Sequence, residues 1–217
     1  MKHPDSKINF KNQYQGFTLI EVLVVLIIVG LTSSWAIPSF HRSILQGKVD
    51  RYMRNVESGL FSLRARMGAI KGSCLIDFGE RSSFSIGEFL PAEQLLERQQ
   101  LNGTLSTNDA LKQCRASYAG DAQVNAEAFR LVNLEGSRER DAVEVALKNQ
   151  TYSFTPPGTT ANANAMTILI RAKGTNTSAG SPISSISKIR TRCVEVSGNG
   201  QVFSGTWSQK SNLCVRK

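Results

Sequence analysis

Gly16-Phe-Thr-Leu-Ile-Glu-Val-Leu-Val-Val-Leu-Ile-Ile-Val-Gly-Leu31 is an almost wholly apolar run with a single carboxylate, Glu21, near its start. A charge at the centre of a bilayer costs about 2.5–3.5 kcal/mol on insertion scales, so a carboxylate in such a run requires a function and a counter-charge. The residues just before it supply one. Cleavage after Gly16 would free the α-amine of Phe17, a cation at the depth of Glu21 in a neighbouring copy. Within one helix the amine and Glu21 can also meet, because residues four apart share a face. Between copies the same attraction would set the axial register of packed helices. From Phe17 to Ile37 the run is long enough, at about 1.5 Å of rise per residue, to cross a ~30 Å hydrocarbon core.

Gly16-Phe17-Thr18-Leu19-Ile20-Glu21 resembles the class III signal of type IV pilins and type II secretion pseudopilins. The resemblance implies that a membrane prepilin peptidase cuts after Gly16 and methylates the new N-terminal Phe17. It also implies that Glu21 docks the subunit in a growing filament, and that Pro38 occupies the place where many family members carry a helix-kinking Pro. The partners implied are the prepilin peptidase, other major and minor pilins or pseudopilins, and an inner-membrane assembly platform. Two other readings compete. An ordinary signal peptide cut after Ala36, where Ser34-Trp35-Ala36 loosely fits a small-x-small site, leaves Glu21 unexplained and puts Pro38 close after the cut. A plain membrane anchor is not a rival, since a prepilin is also anchored until it is extracted into a filament. Lys2, Lys7 and Lys11 against Asp5 hold the leader on the cytoplasmic side. The expected location is therefore single-pass in the inner membrane with the head outside the cytoplasm, in the periplasm, and then in a pilus or pseudopilus.

The chain has 217 residues and a formal net charge of +9. Its four cysteines, Cys74, Cys114, Cys193 and Cys214, form no Cys-x-x-Cys pair, and its two histidines, His3 and His41, flank or precede the apolar run. No zinc site, metal or cofactor is expected from that set. In an exported domain an even cysteine count predicts up to two disulfides. Cys193 with Cys214 would tie the C-terminal tail to a strand, and Cys74 with Cys114 would close a loop; three connectivities are open, as are four free thiols. No nucleophile has a credible histidine partner, and the acids of residues 77–144 lack metal-loop spacing, so no enzyme is expected.

Beyond Pro38 the apolar residues Phe40, Ile44, Val49, Met53, Val56, Leu60, Leu63, Met67 and Ile70 recur every three to five positions, a helical stripe. The helix is predicted to run to about Ile70, with a kink near Pro38 and a stop at Lys71-Gly72-Ser73. Residues 73–150 are mixed: a weak strand signal at Ser83–Ile86, a short helix beginning near Pro91, and loops at 103–109 and 133–141. After residue 150 strands are predicted at Thr151–Phe154 and Ala165–Ile170. A hairpin is predicted from Thr191-Arg-Cys-Val-Glu-Val196 through Gly198-Asn-Gly200 to Gln201-Val-Phe203. The fold class is thus α+β: a long N-terminal helix, membrane-spanning in its first half, packed on a C-terminal antiparallel β-rich pilin-like head. The expected division is a leader at 1–16, a hydrophobic transmembrane or filament-core helix at 17–37, its amphipathic continuation at 38–71, and a globular head with long loops at 72–217.

Tyr152-Ser-Phe-Thr-Pro-Pro-Gly158 and Arg192-Cys-Val-Glu-Val-Ser-Gly-Asn-Gly-Gln-Val202 are similar to the GspH/FimT-type minor pilins and minor pseudopilins. That likeness implies a minor subunit that primes or caps a filament. Charge adds a second theme. Residues 165–217 hold eight cations, Arg171, Lys173, Lys188, Arg190, Arg192, Lys210, Arg216 and Lys217, against the single acid Glu195. Converging on one face, they would bind DNA with an affinity that falls with salt by about 0.9 log units per phosphate neutralised. The resemblance to FimT-like pilins points the same way, towards DNA capture in natural transformation. Ser-Lys188-Ile-Arg190-Thr-Arg192 alternates, which would put three cations on one face of a strand. The plainer alternative is a solvated face, or pairing with the acids of residues 72–144, where each surface pair contributes about 0–1 kcal/mol. Lys48, Arg51 and Arg54, just beyond the membrane, would meet lipid headgroups or neighbouring subunits.

Overall fold

Apolar side chains along residues 19–70 follow the helical period, and the computed structural model forms one α-helix there, α1 (Leu19–Ile70). The structure describes residues 16–78, 89–96, 110–111, 113–114, 130–132, 136–155, 159–160, 165–174 and 189–216. The expected weak strand at Ser83–Ile86 and the loop at 103–109 lie outside them. The chain divides into two compact units, residues 1–40 and 41–217.

In the first unit α1 is apolar and uncovered: Leu23, Val24 and Val25 are about half exposed, and Leu26 is 66% exposed. Thr32 returns its hydroxyl to the helix, donating to the carbonyls of Ile28 and Val29. This is the usual way a Thr side chain satisfies itself in an apolar helix. Pro38 is inside α1.

The second unit holds the head. Val49, Tyr52, Val56, Leu60, Leu63 and Met67 of α1 are buried in its core. The buried stripe therefore begins at Val49, with Phe40 and Ile44 exposed, and uses Tyr52 where the sequence pattern pointed to Met53, which is only partly buried. Gly59 sits in this stripe because a main chain crosses it. A Cβ at Gly59 would clash with the carbonyl oxygen of Leu131, so only glycine admits the crossing. α1 ends at Lys71, which takes the left-handed conformation (φ 52°), a common helix stop.

Among the described residues nine strands follow: β1 (Cys74–Asp77), β2 (Leu90–Pro91), β3 (Val143–Lys148), β4 (Thr151–Thr155), β5 (Thr159–Thr160), β6 (Met166–Ala172), β7 (Arg192–Val196), β8 (Val202–Ser208) and β9 (Leu213–Arg216). The short helix α2 (Ala92–Leu95) starts behind Pro91 as expected. A 3-10 helix at Gly136–Ala142 takes the place of the loop expected over 136–141, and residues 133–135 of that loop lie outside the described residues. The strands form two antiparallel sheets, β1-β4-β5 and β2-β3-β6-β7-β8-β9. Asn149, left-handed at φ 62°, turns the chain from β3 in the large sheet to β4 in the small one.

Alternation decides the two faces of the large sheet. Val143, Val145, Leu147, Met166, Ile168, Ile170, Val194 and Val196 share one core with α1. The opposite face carries a smaller cluster of Ala146, Leu169, Cys193 and Trp207. Of the three connectivities left open by the sequence, the structure forms one. Cys193–Cys214 links β7 to β9 across β8, and Cys74–Cys114 fastens β1 to the segment at 113–114. The β7–β8 hairpin closes through Ser197, which accepts from the Gly200 amide and donates from its own amide to Gln201, with Gly200 at φ 78°.

Candidate functional site

Gly16, Phe17 and Thr18 precede the first turn of α1, and Phe17 is 82% exposed. Thr18 caps the helix. Its hydroxyl and its carbonyl both accept from the Glu21 amide, at 3.3 and 3.1 Å, and the carbonyl also accepts from Val22. Thr18-Leu-Ile-Glu21 has the Thr-x-x-Glu spacing of a capping box, and of that motif's two reciprocal hydrogen bonds the one from the Glu21 amide to the Thr18 hydroxyl is formed. This role of Thr18 was legible in the sequence and was not read there. Glu21 is the acid of the first turn, where its charge complements the positive end of the helix dipole. The arrangement places the Glu21 carboxylate in the first turn of α1, four residues beyond the exposed Phe17. Behind it, α1 is long and apolar enough to cross a membrane, with none of its apolar window buried.

The eight C-terminal cations do not form one face. Arg192 begins β7 on the side facing α1 and is buried there at 6% exposure. Its guanidinium donates to both oxygens of Asp50 on α1, at 2.6 and 3.1 Å, and to the Thr206 hydroxyl at 2.6 Å. Arg171 lies on the opposite side of the sheet. It donates twice to Glu144, its cross-strand neighbour, and stacks on Phe89 with the ring centroid 3.8 Å away. Both guanidinia are thus held within the head.

The remaining cations are distributed differently. Arg190 is exposed just before β7, its backbone bracketed by Gln46, which accepts from the Arg190 amide at 2.8 Å. Lys173 is exposed at the end of β6. Because Ile170 is opposite Arg192, Lys173 and Arg190 leave the sheet at the same end. Lys210 is exposed on the β8–β9 turn, which Lys148 ties to β3 by donating to the Asn212 carbonyl at 3.3 Å. Arg216 is exposed on β9 and lies over Phe203, 4.1 Å from the ring centroid. Lys188 and Lys217 lie outside the described residues. Of the expected strand face of Lys188, Arg190 and Arg192, Arg190 precedes β7, which begins at Arg192, and Lys188 lies outside the described residues. Arg51, expected to meet headgroups or neighbours, pairs with Glu139 of the 3-10 helix at 3.1 Å.

Comparison with known proteins bears on the N-terminal site first. Residues 11–37 match the family described as the prokaryotic N-terminal methylation motif. The chain is 28% identical over 161 residues to the type IV major fimbrial protein FimA of Dichelobacter nodosus, a similarity covering 68% of this chain and 97% of that protein. No solved structure matches the chain significantly.

Proposed function

We propose, on the premise that this chain belongs to the type IV pilin superfamily, that it is a minor pilin or minor pseudopilin which primes or caps a type IV pilus or a type II secretion pseudopilus. The motif implies processing by prepilin peptidase and assembly with other pilins. In this reading Gly16 and Phe17 flank the cut, Phe17 is the methylated N-terminus, and Glu21 docks the subunit. Pro38 adjusts the helix within the filament. The observation that carries the reading is Glu21 in the first turn of α1, behind Gly16-Phe17 and at the head of an exposed apolar helix.

The energetics favour that arrangement. Moving α1 from lipid into a bundle of like helices exchanges one apolar surface for another, so apolar area alone gives little direction. An ion pair between Glu21 and a neighbour's free Phe17 amine does give direction, because an unpaired carboxylate at that depth is costly. Co-expression with prepilin peptidase and intact-mass measurement tests the processing step. The expected product starts at methylated Phe17; a product starting after Ala36 would sink the reading. Counting subunits in sheared filaments by quantitative mass spectrometry tests the minor role. Abundance equal to the main filament component would instead make the chain a major subunit, as the name of its D. nodosus relative describes that protein.

A second reading, DNA capture, rests on the exposed cations Lys173, Arg190, Lys210 and Arg216, which have no ion pair among the described residues. Titrating the full-length protein in detergent with duplex DNA across a salt series tests it. The expected slope is about −0.9 per phosphate contact, and replacing Lys173 and Arg190 by Ala should flatten it by about two such contacts. No binding at low salt would remove this reading and leave the first untouched.

A further inference from the structure

The two disulfides of the head differ in what surrounds them. Cys74, Cys114 and Cys193 are each 0% exposed, and Cys214 alone of the four is partly exposed. Cys193 belongs to β7, an interior strand paired with β6 and β8, so its side chain is reached only from the face of the sheet. On that face it packs with Ala146, Leu169 and Trp207. Cys214 comes to the same cluster from β9, where it is opposite Trp207 in register. One half of this bond is enclosed by apolar side chains, and the other half is at the surface.

Thiol–disulfide exchange needs a thiolate to reach one sulfur and expel the other. Access decides which sulfur is attacked, and surroundings decide how readily the other leaves. A thiolate expelled from Cys193 would be shut among apolar side chains, where charge is disfavoured. A thiolate on Cys214 would be at the surface with a cation in the neighbourhood. Lys148 donates to the carbonyl of Asn212, two residues from Cys214, and its ammonium is 6.0 Å from the Trp207 ring centroid. The bond therefore has a direction: a partner reaches Cys214, and Cys193 takes Cys214 back.

We propose that Cys214 is an exchange site for a dithiol oxidoreductase, with Cys193 as its resolving partner, and that Cys74–Cys114 is inert to the same oxidoreductase. In the reductive direction a thiolate of the oxidoreductase attacks Cys214 Sγ. The Cys193–Cys214 bond breaks, a mixed disulfide forms, and Cys193 leaves and takes a proton from water. The second thiolate of the oxidoreductase then attacks its own sulfur in the mixed disulfide, and Cys214 leaves. The oxidoreductase ends as a disulfide and the chain holds two thiols. Bond formation runs the same steps backwards, Cys214 attacking the disulfide of the oxidoreductase and Cys193 closing the bond. A monothiol lacks the second step, so Cys193, held nearby in β7, reverses the mixed disulfide that a monothiol makes. The assignment is independent of whether the chain primes a filament or binds DNA.

The test uses the full-length protein in detergent. Dithiothreitol is added well below the melting temperature, samples are quenched with iodoacetamide in denaturant, and peptide mass spectrometry assigns each alkylated cysteine. Cys193 and Cys214 should become alkylated at least about tenfold faster than Cys74 and Cys114, because exposure governs attack. Equal rates, earlier opening of Cys74–Cys114, or no reduction short of unfolding overturns the proposal. Single variants then tell the two sulfurs apart. In native Cys193→Ser, Cys214 should form a mixed disulfide with oxidised glutathione at least about tenfold faster than Cys193 does in Cys214→Ser. Equal rates there would mean that β9 opens to expose both sulfurs, and the assigned roles fail. The reduction series needs no variant, so it decides the proposal even where a single variant does not fold.

Discussion

Truncating Arg192 to Ala leaves the Asp50 carboxylate without its bidentate partner beneath the large sheet. The loss is expected to cost about 3 kcal/mol, the low end for a buried pair because Asp50 retains a quarter of its exposure. Denaturant unfolding of Arg192→Ala, Asp50→Ala and the double variant should give a coupling energy of the same sign; additive effects would show that the pair contributes nothing. Gly59 and Gly68 make a second contrast on one helix. Ala at Gly59 drives a Cβ into the Leu131 carbonyl and should destabilise by about 1–3 kcal/mol, whereas a Cβ at Gly68 meets nothing within 4 Å. Ala there should stabilise by about 0.5–1 kcal/mol, the ordinary gain of replacing a helical glycine. Thermal melts of the two variants should move in opposite directions. At the other end of α1, Glu21→Gln keeps the shape and removes the charge. On the proposed reading, in which the peptidase recognises the bond and Glu21 docks the subunit, cleavage after Gly16 should persist while recovery in sheared filaments falls.

Between elements, the two disulfides act on different segments. Cys193–Cys214 spans 21 residues and holds β9, a strand paired on one side only among the described residues, against β7. Cys74–Cys114 spans 40 residues. Chain entropy assigns each bond about 3–4 kcal/mol, slightly more to the longer loop. Cys193→Ser with Cys214→Ser should lower the melting temperature and raise hydrogen exchange in β9 first, because β9 keeps only its ladder to β8. Exchange rising equally through β6 would mean that the bond braces the whole sheet. The elements best legible in the sequence were those with a strong local period. The helix end at Ile70, the strands at Thr151–Thr155 and Met166–Ala172, and the β7–β8 hairpin were all marked by alternation or glycine turns. β1, β3 and β9 were not. β3 reads Val-Glu-Val-Ala-Leu-Lys, which suits a helix as well as a strand, and its partner β6 is distant in sequence. β1 and β9 are four residues long and are held by partners and disulfides rather than by pattern.

For the molecule as a whole, the apolar start of α1 and the methylation motif are consistent with inner-membrane anchoring. Two disulfides in the head suit an oxidising compartment. Protease added to spheroplasts should digest the head and spare the segment within the membrane; a head protected until lysis would place it on the cytoplasmic side. The sequence by itself determined the N-terminal site, because Gly16-Phe17, the carboxylate at Glu21 and the apolar run are neighbours along the chain, and their chemistry needs no fold. It also determined the α+β class, since helical and strand periods are local. Only the tertiary structure decided which cations are available. Arg192 and Arg171 look alike in sequence to Arg190 and Arg216, but a charge's fate depends on what faces it, and Asp50 and Glu144 come from distant strands and helices.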